Sequence, residues 1–91
     1  MKQYTTPEQT TKLIELGFEK PNNEVKAEQA GDYAWYNPAY SIGELIEKLP
    51  LYRIEFDLEI WVDTPRGGFY ATELIDALFE ACVKLKEKGM L

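Results

Sequence analysis

Residues 52–63 alternate in hydropathy without an error. Tyr52, Ile54, Phe56, Leu58, Ile60 and Val62 fall on one side, and Arg53, Glu55, Asp57, Glu59, Trp61 and Asp63 on the other. A period of two belongs to a strand with one apolar and one wet face, so the chain must build a sheet covered on one side only. Read as one continuous strand, the segment sets Glu55, Asp57 and Glu59 in a row on the wet face, about 7 Å apart at successive positions. Trp61 follows them on that face.

Three helices flank this segment. Thr6, Pro7 and Gln9 make an N-terminal signature: a capping hydroxyl, a proline suited to the first helical position, and a glutamine that closes a capping box. Leu13, Ile14 and Leu16 supply the apolar face, and Gly17 ends the helix with Phe18 folding back on Leu13. Ser41 and Glu44 form a second capping box, with Tyr40 and Leu45 as its hydrophobic staple. Ile42, Leu45, Ile46 and Leu49 face inward, and Pro50 stops the helix. The third helix opens after Thr72, read as its cap. It carries Leu74, Ile75, Leu78, Phe79, Cys82 and Leu85 as one stripe, and Gly89 closes it, with Met90 reaching back to Leu85. Residues 19–31 are polar and read as a loop. Residues 33–36 read as a short aromatic strand stopped by Asn37 and Pro38, and Phe69 and Tyr70 as a further short one. The expected architecture is α+β in α-β-α-β-α order. It has a small antiparallel sheet of two to three strands, helices packed on one face, and a single domain spanning residues 1–91.

Composition removes several functions. Ten Lys and Arg face sixteen Asp and Glu, a net charge of -6 that repels phosphate backbones and argues against direct nucleic-acid binding. Histidine is absent, which takes away the commonest general base and metal ligand. The one cysteine, Cys82, falls on the apolar stripe and reads as inert packing. Neither a cofactor nor a metal is expected. A lone cysteine, a polar start after Met1 and the lack of a long apolar run read as a cytoplasmic protein with neither signal peptide nor membrane contact.

Three blocks carry a resemblance: TTPEQTTKLIELGFEKP at 5–21, YSIGELIEKLP at 40–50 and ELIDALFEACVKLKEKGML at 73–91. Together they resemble a family of short, uncharacterised proteins of gut bacteria and of their phages and mobile elements. The resemblance implies a fold and a genomic context. It implies no activity and carries over no site residue.

The candidate surfaces each have a plain alternative. Glu55, Asp57 and Glu59 have the residue types for acid–base hydrolysis or for Ca²⁺ or Mg²⁺, yet polar residues occupy the outer face of a singly covered sheet in any case. Trp61, Tyr33, Trp35, Tyr36 and Tyr40 form an aromatic interface if the 33–36 segment pairs beside the long strand; otherwise the rings cover the core edge. Pro65, Arg66, Gly67 and Gly68 offer an arginine and open amides to an anion, but read more simply as a turn. The leading expectation is a non-enzymatic protein-interaction module. It binds a protein partner, or itself as a homodimer, through the aromatic face or a strand edge, with Glu55, Asp57 and Glu59 as a charged rim. The alternative is an acidic decoy that occupies a host nucleic-acid-binding protein. An enzyme built on Glu55, Asp57 or Asp63 with Arg66 ranks last.

Overall fold

The computed structural model describes residues 1–30 and 33–91, with side chains for all of these except 27–30 and 33–35. In chain order the elements are α1 (Pro7–Glu15), β1 (Asn23–Ala30), β2 (Tyr33–Ala39), α2 (Ile42–Lys48), β3 (Arg53–Phe56), β4 (Ile60–Thr64), β5 (Gly67–Ala71) and α3 (Leu74–Glu87). The fold is α+β, with helices and β segments alternating as expected. Each β segment is a folded ribbon: β1 and β2 make one antiparallel sheet, and β3, β4 and β5 make another in that order.

The alternating segment 52–63 is therefore a hairpin and not a single strand. It reverses at Asp57, Leu58 and Glu59, where the Asp57 carboxylate accepts the Leu58 N–H at 2.9 Å. Arg53 pairs with Asp63, Ile54 with Val62, Glu55 with Trp61 and Phe56 with Ile60. Each pair joins residues of equal parity, so the apolar set keeps one face across the reversal. A three-residue loop preserves the alternation, which is why periodicity alone cannot separate the hairpin from a straight strand. The second reversal, at Pro65 and Arg66, is a tight turn. Thr64 Oγ1 accepts the Arg66 N–H at 3.2 Å and donates to the Gly67 carbonyl at 2.9 Å, and Gly67 takes φ +114°.

Residues 23–30, read from the sequence as loop, form β1. This strand is polar, with Val25 its one large apolar residue, so no alternation of apolar and polar residues marks it in the sequence. Along one edge its backbone pairs antiparallel with β2, from Asn23 opposite Ala39 to Ala30 opposite Tyr33. β2 also runs past Asn37 and Pro38 to Ala39. In a two-stranded ribbon every strand has an open edge, where a proline removes no ladder bond.

The helix ends follow the sequence closely. Both capping boxes are complete: Thr6 Oγ1 accepts from Gln9 N at 3.1 Å while Gln9 Oε1 accepts from Thr6 N at 3.0 Å, and Ser41 and Glu44 reciprocate at 3.1 Å each. Gly17 and Gly89 take φ +101° and +73°. Phe18 N–H and Met90 N–H then donate to Leu13 and Leu85 carbonyls, the paired bonds of a Schellman end. The start of α3 differs. Its cap is Glu73, with no side-chain capping bond, and the Glu73 carboxylate accepts the Lys2 backbone N–H at 3.0 Å instead.

α3 is the centre of the core. Leu74, Ile75, Ala77, Leu78, Ala81, Cys82, Val83 and Leu85 are all buried, a broader band than one stripe. The width has a cause: β4 and β5 pack on one side of the helix, and α2 and α1 on others. Burial pushes the Cys82 thiol up to about 12, which keeps it protonated and unreactive. Among the described residues the α3 backbone makes no close approach to β3, of which Ile54 packs partly against the core. Hence the inner face is closed over Ile60, Val62 and Thr64 and open over Tyr52 and Phe56, which are 70% and 62% exposed.

The N-terminal segment is tied in by a directed chain of hydroxyls. Thr10 Oγ1 donates to the Thr6 carbonyl at 2.8 Å, so the proton between Thr5 and Thr10, 2.7 Å apart, comes from Thr5. Thr5 Oγ1 in turn accepts the Tyr40 N–H at 3.0 Å. Two carboxylates fasten the periphery. Asp76 accepts from Gln9 Nε2 at 2.9 Å and Lys2 Nζ at 3.0 Å. Glu44 accepts from the Asn22 N–H at 3.1 Å and from the Asn23 side chain, joining α2 to the start of β1.

Burial alone would raise the pKa of both carboxyls, but these hydrogen bonds, with Lys2 beside Asp76 and Lys48 beside Glu44, outweigh it and hold both below their ordinary values. A folded-state pKa below the unfolded one stabilises above the unfolded value and loses that contribution as pH falls through the folded one. Stability is thus expected to be level at neutral pH and to fall below about pH 4.5. Glu44→Gln should flatten that fall in urea titrations; an unchanged acid slope would show that Glu44 is not one of the groups responsible.

Candidate functional site

The outer face of the β3–β4–β5 sheet carries no helix among the described residues, so its side chains meet solvent. Trp61 on β4 stands directly opposite Tyr70 on β5. Their rings are parallel to within 3° with centroids 5.5 Å apart, an offset stack of the kind aromatic pairs prefer. Gly68, on the same face two residues from Tyr70, makes this possible. A Cβ built there would lie 2.0 Å from Trp61 Cζ2 and 2.2 Å from Cε2, so the indole fills the space that a side chain at this position would need. Trp61 remains 38% exposed and Tyr70 58%. The result is a two-ring platform.

Carboxylates border the platform on one side. Glu55 is the cross-strand partner of Trp61, and Glu55, Asp57, Leu58, Glu59 and Trp61 line a shallow depression of about 230 Å³. Glu59, Trp61 and Tyr70 line a second of about 340 Å³. The expected row of three carboxylates along one strand is not present, because Asp57 and Glu59 lie in the hairpin loop and only Glu55 is on β3. Arg53 ties the far side together, 3.0 Å from Glu55 and 3.7 Å from Asp63. These pairs are exposed and contribute little to stability.

The aromatic cluster expected from sequence does not assemble. β2 pairs with β1 and not with β3 or β4, so Tyr36, which is exposed, belongs to a different sheet from Trp61. Tyr40 is not a surface residue at all: it is 0% exposed and part of the main core cluster. The Tyr33 and Trp35 side chains lie outside the described residues. The ring partner of Trp61 is Tyr70. Its signal was present in the sequence as Gly68-Phe69-Tyr70, a glycine and a tyrosine at same-face spacing, but it needed the register of β4 and β5 to be read.

Chemically, the platform is suited to binding. Two exposed π faces beside carboxylates attract a guanidinium or ammonium group. Among the described residues no group of three or more His, Cys, Asp or Glu side chains converges to hold a metal. Among the same residues every buried side-chain nitrogen and oxygen has a hydrogen-bond partner, and no helix is long and apolar enough to cross a membrane. No family model, curated protein or solved structure matches the chain.

Proposed function

We propose that this chain is a small, non-enzymatic protein-interaction module that docks a partner protein on the outer face of the β3–β4–β5 sheet. The observation that carries the reading is the Trp61–Tyr70 stack, held open to solvent over Gly68 and bordered by Glu55 and Glu59. An aromatic pair kept rigid in the free protein loses little side-chain entropy on binding, which is why such residues become interface hot spots. The partner presents a cationic side chain, arginine above all, for the rings, with further basic groups near the carboxylates.

The test compares the wild type with Trp61→Ala in partner capture from native lysate, at low and at high salt. The expected result is a stoichiometric partner for the wild type, weakened about thirtyfold or more in the variant, with the far-UV spectrum unchanged. Equal capture by both proteins would sink the reading. The net charge of -6 favours a second reading, an acidic decoy for a nucleic-acid-binding protein. Binding through charge alone falls steeply with salt, whereas a ring-centred contact persists, so a partner lost at high salt and indifferent to Trp61 would favour the decoy.

A further inference from the structure

The exposed edge of the sheet, which shares Glu55 with the border of the platform, is complementary to itself. Among the described residues β3 is an edge strand, paired with β4 on one side only. Its outer backbone groups are free to take another strand. On the inner face, Tyr52 and Phe56 form a short apolar strip that α3 leaves uncovered.

We infer that two copies of this chain pair edge to edge through β3, antiparallel, in the register that places Ile54 opposite Ile54 of the second copy. The choice of register follows from charge. Centred on Ile54, Arg53 of each copy faces Glu55 of the other, giving two ion pairs on the outer face. Tyr52 then faces Phe56 twice on the inner face. Moving the centre to Arg53 sets the two arginines against each other. Moving it to Glu55 does the same to the two glutamates, and like charges directly opposite destabilise a sheet. Registers that pair odd with even positions turn one copy over and place its apolar strip on the wet side. The symmetry axis stands normal to the sheet. The product is one six-stranded sheet, with both α3 helices on the inner face and both Trp61–Tyr70 platforms on the outer one. The intrachain contact of Arg53 with Glu55, 3.0 Å and exposed, is exchanged for its intermolecular equivalent.

The test reads the solution mass of the purified chain across the micromolar range by sedimentation equilibrium. The wild type is expected to dimerise. Arg53→Glu alone and Glu55→Arg alone each turn two attractive pairs into two repulsive ones, and each should dimerise at least about tenfold more weakly. Mixed together they restore both pairs and should form a heterodimer, and the double reversal R53E/E55R should dimerise with itself. If R53E does not fold, E55R and the double reversal carry the same comparison. Trp61→Ala, whose side chain lies one strand in from the edge, should keep the wild-type mass, so a failed platform and a failed edge are told apart. A wild type that stays monomeric overturns the inference. So do single reversals that still dimerise, a rescue that fails, or a loss of dimer in W61A.

Discussion

Tyr40→Ala is expected to cost about 3–5 kcal/mol of folding stability, the range for emptying a large aromatic site in a core. A folded chain of 91 residues has about 5–14 kcal/mol in total, so the variant should be close to unfolding at physiological temperature. The size of the effect follows from what Tyr40 joins. Its backbone N–H donates to Thr5 Oγ1 at 3.0 Å, and its carbonyl accepts the Thr5 N–H at 3.0 Å. Its hydroxyl donates to the Glu19 carbonyl beyond α1, and Lys48 Nζ lies 5.5 Å from the ring centroid. Burial, with Glu44, Cys82 and Glu19 nearby, pushes the phenol pKa upward, so the hydroxyl remains a donor at any working pH. The alanine variant keeps the two backbone bonds to Thr5, so its cost falls on the side chain, which links the end of α1 and α2 within the core. Tyr40→Phe keeps the ring and removes one hydrogen bond, so its cost should be about 1 kcal/mol. Urea unfolding followed by circular dichroism separates the two. A loss below about 1 kcal/mol in the alanine variant would mean the ring is not the core residue described.

Tyr40 also marks where the sequence stops being informative. The helices were readable because their signals are local: a hydroxyl three residues before a Gln or Glu, or a glycine followed by an apolar residue, acts within one turn of chain. Both capping boxes and both glycine ends are in place. The start of α3 was misread because Glu73, and not Thr72, takes the cap position, and its carboxylate is held by Lys2, seventy-one residues away. Tyr40 gave two compatible signals, a staple residue next to a helix cap and one more ring in an aromatic run. Only the pairing of β2 with β1 shows that the run does not join Trp61. The hairpin in 52–63 was hidden for a geometric reason, since an odd-numbered loop joining residues of equal parity leaves no mark on the alternation. Within the paired residues 53–56 and 60–63 the wet and apolar sets keep their faces, while residues 57–59 lie in the loop and the row of carboxylates inferred from them was wrong in geometry.

Gly68→Ala is the sharpest probe of the platform. Gly68 is not one of the glycines with positive φ, so alanine imposes no backbone strain, and the added methyl acts by sterics alone. It would lie 2.0 Å from Trp61 Cζ2 and 2.7 Å from Nε1, and the indole must leave. Swinging it away forfeits the stack on Tyr70, worth about 0.5–1.5 kcal/mol, and the total cost with local repacking should be about 1–3 kcal/mol. The chain has two tryptophans, Trp35 and Trp61, so a Trp35→Phe background isolates the relevant emission. There, G68A should shift the Trp61 emission to the red and remove its near-ultraviolet dichroism while far-ultraviolet helical content stays constant. Partner binding should fall as far as in Trp61→Ala, because a displaced ring is no better than an absent one. Gly67→Ala is the matched control. Its φ of +114° disfavours any side chain, but the space around it is open, so it should cost stability through the turn and leave the Trp61 spectrum in place. If G68A keeps the Trp61 signature of its parent, the ring does not lie over that glycine, and the docking face has to be sought elsewhere on the sheet.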